Sequence, residues 1–367
     1  MKITAIRFAT LEVPLVTPFK TAMRTVQSIS DLVVIVETDK GVLGYGAAPA
    51  TPVITGDTHG SVCYAIDKVI GPHIIGMDIE DLNSICHKIQ GAIVANSSAK
   101  AALEIAIYDL WAKRFDAPLY KMLGGGKTLL RTDVTISVDH IDKMLADADL
   151  AIGQGFDILK IKIGTDIEND IARVQAIYQD VAKRAILRLD VNQGWTAKQT
   201  VYAMQKLENM GVELELIEQP VKSKDINGLR YISERITTPV MADESAFSPQ
   251  QVLELIRTGA ADIINIKLMK CAGLSQAIKI ADLAELHDIP CMIGCMLEGS
   301  ISVAAAAHLA TAKASSISLI DLDGPALGQY DPVVGGVDFN LSNIQLGQGA
   351  GLGIESINDL QELVWPF

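Results

Sequence analysis

Lys160 and Lys162 stand two residues apart in the run Leu159-Lys160-Ile161-Lys162-Ile163-Gly164. In a strand, period-two geometry puts both amines on one face and Leu159, Ile161 and Ile163 on the other. Two ammonium groups on one face of a buried strand repel each other and lose hydration, so lysines placed this way are paired or do chemistry. Further apolar runs also end in charge. They are Leu187-Arg188-Leu189-Asp190 (with Asn192 beyond), Leu216-Ile217-Glu218, Val240-Met241-Ala242-Asp243, Ile263 to Lys267, and Leu319-Ile320-Asp321-Leu322-Asp323.

Asp190, Glu218 and Asp243 each close one of three consecutive runs. Three converging carboxylates without a cation would drive one another's pKa values up. A hard divalent ion removes that conflict, and oxygen-only ligands select Mg²⁺, with Mn²⁺ as a substitute. A substrate carboxylate on that ion would place its α-carbon between Lys162 and Lys267, which approach from opposite sides of a closed ring of strands. The ion offsets the charge of the enediolate formed when the α-proton leaves. Lysine is a useful base only with its pKa lowered towards ~7–8, and Lys160 and the ion are suitable cationic neighbours for Lys162. One lysine removing a proton from one face and the other returning it to the opposite face amounts to racemisation or epimerisation.

The elements that must position these groups are legible from Thr132 onward. Apolar strands at 133–137, 158–163, 186–190, 214–218, 240–243, 263–267, 290–294 and 317–321 alternate with helical stretches at 166–183, 197–210, 248–258, 274–287 and 299–312. Eight short runs at roughly 25-residue spacing, apolar throughout, indicate parallel strands covered by helices. In such a barrel the site lies at the C-terminal ends of the strands. The first residues differ: strands over 2–15 and 31–46 with a turn at Asp39-Lys40-Gly41, a loop from Thr17 to Ser30, and helices over 59–72, 79–92 and 97–113, the last capped by Ser97 or Ser98. The fold class expected is α/β, a (β/α) barrel with an N-terminal α+β unit. The glycine-rich tail is expected to pack back on that unit, which divides the chain into 1–125, 126–324 and 325–367.

Composition excludes several function classes. A net charge of -13 and a pI near 4.9 argue against a nucleic-acid partner. The 5 cysteines are scattered and odd in number, which argues for reduced thiols rather than a disulfide framework or zinc. No apolar run approaches the ~20 residues of a membrane span, and the N-terminus lacks a signal-peptide core, so a cytoplasmic location with no membrane partner is expected. Gly126-Lys127-Thr128 ends like a phosphate-binding loop, but Lys121 stands where that pattern needs glycine.

The whole set of strand-end residues resembles the enolase superfamily, and within it the muconate-lactonizing-enzyme-like subgroup. The capping-domain run Ala101 to Gly125, with Pro118-Leu119-Tyr120 and Leu123-Gly124-Gly125, carries the likeness into the N-terminal part. The resemblance implies a modified (β/α)7β TIM-like barrel with a capping domain, and a lysine base working with Mg²⁺, a recognised pattern of that superfamily. Asp321-x-Asp323 is similar to the signature of dipeptide epimerases, where two carboxylates hold the substrate's free α-ammonium, and two adjacent acids suit a cationic group. By the same resemblance Arg24 would pair with the γ-carboxylate of an Ala-Glu dipeptide. Thr135, on strand one, and Lys160 are placed to line the substrate site, and Met296, Leu297 and Glu298, after strand seven, to shape specificity. Lys162 would act on the L centre and Lys267 on the D centre. Ala47 departs from the glutamate found in many relatives, which affects loop packing rather than chemistry. The implied protein is a homo-oligomeric, Mg²⁺-dependent isomerase of a small dipeptide, such as L-Ala-D/L-Glu from cell-wall recycling. The rivals are o-succinylbenzoate synthase, N-succinylamino acid racemase and muconate cycloisomerase on the same scaffold, a metal-free Schiff-base aldolase, and a barrel without turnover.

Overall fold

A computed structural model describes residues 1–20, 25–181 and 183–365. The chain opens with an antiparallel meander of Ile3–Lys20, Thr25–Thr38 and Leu43–Pro49. The first two strands are longer than the sequence reading allowed, because the described parts of the expected loop are paired: Phe19 faces Val26 and Lys20 faces Thr25. Alternation is lost at Pro14, where the register shifts. A small apolar cluster of Val13, Leu15, Ile29 and Leu297, flanked by Phe19, Val26 and Leu327, keeps the hairpin down on the barrel.

The helix Ser97–Arg114 packs against this sheet and is buried nearly all round. Its close approach explains Gly44 and Gly46 in the third strand. A Cβ at Gly46 would lie 1.9 Å from the Ala102 carbonyl oxygen, and one at Gly44 would lie 2.4 Å from that of Ala106. The cap differs from expectation. Asn96, at φ 53°, holds the cap position, and the carboxylate that accepts the Ser98 N–H (3.0 Å) belongs to distant Asp57. The helix expected over 59–72 is a short α-helix, His59–Tyr64, that widens into a π turn and tightens into a 3₁₀ turn by His73.

The second half is an eight-stranded parallel sheet: Val134–Ile136, Ile158–Lys162, Ile186–Asp190, Leu216–Glu218, Val240–Ala242, Ile263–Ile266, Cys291–Gly294 and Ile317–Asp321, each beside its predecessor. Among the described residues, seven principal helices fill the connections. Ile141–Gly153 and Ile226–Ser233 complete the alternation where no helix had been placed. The interior is plugged at the bottom by Leu216, Met241, Ile263 and Met292, so the polar strand ends sit on an apolar floor.

No backbone ladder joins the first and last barrel strands among the described residues. Side chains bridge that seam. Leu322 N–H donates to Thr132 Oγ1 (2.8 Å) and Thr135 N–H to Asp323 Oδ2 (2.8 Å). The Arg188 guanidinium donates to the Ile320 carbonyl (2.9 Å) and to buried Asp133 (2.7 Å).

The tail is more regular than its glycine content suggested. Asn343–Leu346 pairs with Leu129–Arg131, and the last strand, Gln361–Leu363, pairs antiparallel with the first strand of the chain, completing the N-terminal sheet. His308, on the helix Ser300–Ala312, is buried against Tyr120 and accepts its backbone N–H at Nδ1 (3.0 Å). Burial lowers its pKa to about 4 from the ordinary 6.5. The unfolded chain therefore binds the extra proton first, and stability falls as pH drops from 6.5 through 4, by roughly 3 kcal/mol in all. Buried Glu104 and Asp31, both pushed up to about 7 by desolvation, act in the opposite direction. The His308 contribution is thus read as a difference. Between pH 7 and pH 4.5, the urea midpoint of His308→Gln should move down less than that of the unsubstituted chain.

Candidate active site

The ends of the parallel strands bring the charged residues to one level. Lys162, Asp190 and Glu218 are successive partners in the ladders of the second, third and fourth barrel strands. Lys160 Nζ lies 2.7 Å from Asp321 Oδ2, 2.7 Å from Glu218 Oε2 and 3.2 Å from Asp190 Oδ2. Lys162 Nζ donates to Asp190 Oδ2 (2.5 Å), and Lys267 Nζ to Asp243 Oδ2 (2.8 Å). All of these side chains are buried.

A cavity opens directly above them. Lys160, Lys162, Lys267, Asp243, Asp321 and Asp323 line it, with Thr135, and the N-terminal unit contributes Phe19, Val53 and Ile54 to its roof. Asp190 and Glu218 lie just beneath, screened by the lysines. The hairpin is moored to the barrel mouth, with Lys20 Nζ on Asp139 Oδ2 (2.5 Å) and Lys20 N–H on Ser137 Oγ (3.1 Å).

Burial and mutual charge divide the acids. Burial opposes ionisation of Asp190, but Lys162 and Lys160 outweigh it and hold the carboxyl well below the usual range. Asp243 is held down in the same way by Lys267 and Lys270. Glu218 is pushed up to about 8 by burial and by Asp190, only partly relieved by Lys160. Burial disfavours the charges of Lys160 and Lys267, yet the surrounding carboxylates keep both well above the ordinary lysine value.

The oxygen-only donor set suits a hard divalent ion. Among the described residues, no three acid, His or Cys side chains are drawn together by themselves. Lysine amines stand between Asp190, Glu218 and Asp243 and neutralise them. The fit shows in what the lysines leave over: both carboxylate oxygens of buried Glu244 and the amide oxygen of Asn192 have no hydrogen-bond partner, and both residues line the cavity. Asp190, Glu218 and Asp243 thus fit Mg²⁺ in donor chemistry.

Arg24 lies outside the described residues. The Glu298 carboxylate accepts the Met296 N–H (2.7 Å) and braces the loop after the seventh strand, whose residues Cys295, Met296 and Leu297 line the cavity. Asp323 also has a structural partner, the Thr135 N–H, and burial with Asp321 beside it raises its pKa.

Sequence reasoning assigned no role to Glu244, Asn265 or Lys270. Asn265 Nδ2 donates to Glu218 Oε1 (2.8 Å). Lys270, wholly buried, lies 2.5 Å from Asp243 Oδ1 and donates to the carbonyls of Asp243 and Asn265. For Glu244 the signal was present, since it directly follows Asp243 at a strand end.

The fold and the strand-end set define a class. Residues 3–124 match the model of the mandelate racemase / muconate lactonizing enzyme N-terminal domain, and residues 143–360 match the enolase C-terminal domain-like model. The chain belongs to the enolase superfamily. Among its relatives, the L-Ala-D/L-Glu epimerase of Clostridium acetobutylicum is 48% identical over 349 residues, covering 95% of this chain and 97% of that protein. The substrate-liganded L-Ala-D/L-Glu epimerase of Bacillus subtilis superposes with a TM-score of 0.95 at 44% identity, covering 97% of this chain and 99% of that one. The dipeptide epimerase of Enterococcus faecalis, complexed with Mg and L-Leu-L-Tyr, gives 0.93 at 41% identity, covering 97% and 100%.

Proposed function

We propose that this chain is a Mg²⁺-dependent dipeptide epimerase that interconverts L-Ala-D-Glu and L-Ala-L-Glu by two-base proton transfer, in the recycling of cell-wall peptides. The observation that carries it is the pairing of two lysines across one cavity, Lys162 on Asp190 and Lys267 on Asp243, with Asp321 and Asp323 at the adjoining strand end. Residues 126–324 carry the chemistry, and 1–125 with 325–367 form the cap. Relatives of this chain bearing that activity, and one solved with Mg and a dipeptide, support the reading.

Asp190, Glu218 and Asp243 would hold the ion, which when bound polarises the substrate carboxylate and stabilises negative charge at the α-carbon. Lys160, buried among three acids, stays charged and helps neutralise the same carboxylate. Lys162 and Lys267 have fewer partners. Once their acids are otherwise engaged, each can present a free amine to one face of the α-carbon, taking the proton at Nζ on one side and delivering one from Nζ on the other. Asp321 and Asp323 would bind the ammonium and fix which face each lysine meets. The apolar roof keeps water from competing for the proton.

Incubation of L-Ala-L-Glu with the chain and Mg²⁺ should yield L-Ala-D-Glu, and a chelator should abolish the conversion until Mg²⁺ is restored. Conversion undiminished in chelator would refute the metal-dependent reading. Turnover of N-succinylamino acids in place of the dipeptide would favour the racemase rival, which needs no ammonium site.

A further inference from the structure

Glu244 is a buried acid that the mechanism above leaves unused. Its side chain is 7% exposed, it lines the cavity, and neither of its carboxylate oxygens has a partner. A buried carboxylate without donors is costly, so a group of this kind is kept for something that enters the site. Asn192 faces the same cavity with its amide oxygen equally unpartnered, on a backbone held at φ 45°, in the left-handed region that non-glycine residues seldom adopt. The two come from the loops after the third and fifth strands, which flank the fourth, where Glu218 stands.

The occupant these acceptors await carries hydrogen-bond donors. The substrate ammonium is claimed by Asp321 and Asp323 at the eighth strand. Mg²⁺ gives up its water reluctantly and keeps several molecules even when bound by carboxylates, and each of those waters needs acceptors.

We infer that Glu244, with Asn192, forms an outer rim of the divalent-cation site, accepting hydrogen bonds from water carried by the ion rather than ligating it. This rests on the metal-dependent reading proposed above. Groups in that position set metal affinity, and their loss typically weakens binding by about 10- to 100-fold.

The test is Mn²⁺ binding to the metal-free full-length chain, followed by the electron paramagnetic resonance signal of free Mn²⁺, for the unsubstituted protein, Glu244→Gln and Asp243→Asn. Glu244→Gln keeps the shape, so thermal melting without metal should occur at or above the temperature of the unsubstituted chain, because an unpaired buried charge is gone. Its Mn²⁺ affinity should fall at least ~10-fold, and the rise in melting temperature on adding Mn²⁺ should shrink. A group with a merely structural role would lower the metal-free melting temperature instead, and that result would overturn the inference. Binding lost in Asp243→Asn but unchanged in Glu244→Gln would overturn it too, leaving the metal site intact. No Mn²⁺ binding by the unsubstituted chain would overturn the metal-dependent reading and this inference together.

Discussion

Replacing either Lys162 or Lys267 with alanine should abolish epimerisation, with kcat/KM down at least ~1,000-fold, within the range general acid–base groups supply. Among the described residues the cavity offers no other uncommitted amine. Lys160 is the third amine lining it, but three carboxylates within 3.2 Å hold its proton. The two losses should differ in kind. With Lys267→Ala, the remaining Lys162 should still exchange the α-proton of the L epimer with solvent without forming the D epimer, and Lys162→Ala should do the reverse. Each replacement also removes one cationic partner of a buried acid, leaving Asp190 to Lys160 and Asp243 to Lys270, and so lowers the stability of the metal-free chain. The assays therefore belong in saturating Mg²⁺, which returns a positive charge to those acids. Proton NMR of each epimer in D₂O reads both effects. Full epimerisation by either variant would end the two-base account.

Asp321→Asn should cost about 100- to 1,000-fold in kcat/KM for a dipeptide with a free ammonium, the value of one or two charge-assisted hydrogen bonds at a desolvated site. The loss should appear mainly in KM, since the ammonium is bound alike in substrate and transition state. A second effect follows from the structure. Asp321 Oδ2 is one of the oxygens holding Lys160, so the variant leaves that amine to Asp190 and Glu218, and the site loses charge balance as well as a ligand. Asp323 compensates only in part, because one of its oxygens accepts the Thr135 N–H across the barrel seam. Steady-state kinetics with L-Ala-L-Glu measures the loss. An unchanged KM would show that the ammonium binds elsewhere.

The barrel was legible because its strands are largely apolar and six of the eight end in charge, so Lys162, Asp190, Glu218, Asp243 and Lys267 could be placed at strand ends from spacing. What the sequence hid has physical causes. The described residues between Thr17 and Ser30 lack alternation, since their pairing shifts register after Pro14 and they pack on Leu297 and Leu327, far away in the chain. The barrel seam is closed by the side chains of Thr132, Asp323 and Arg188, and no periodicity announces such a contact. Glu298 sits where a specificity residue would, but whether a loop carboxylate faces the cavity or its own backbone is decided by loop geometry. Lys270 reads as a surface lysine on a short helix. It is buried only because two strand-end carbonyls and Asp243 converge on it.

The central claim is that a proton leaves and re-enters the same α-carbon from opposite faces under the control of a bound cation. Running the L-Ala-L-Glu reaction in D₂O with Mg²⁺ tests it most directly. The account predicts deuterium at the glutamate α-carbon in step with the appearance of L-Ala-D-Glu, both abolished by chelation. Appearance of the D epimer with its original proton retained, or exchange that persists at full rate in chelator, would contradict it.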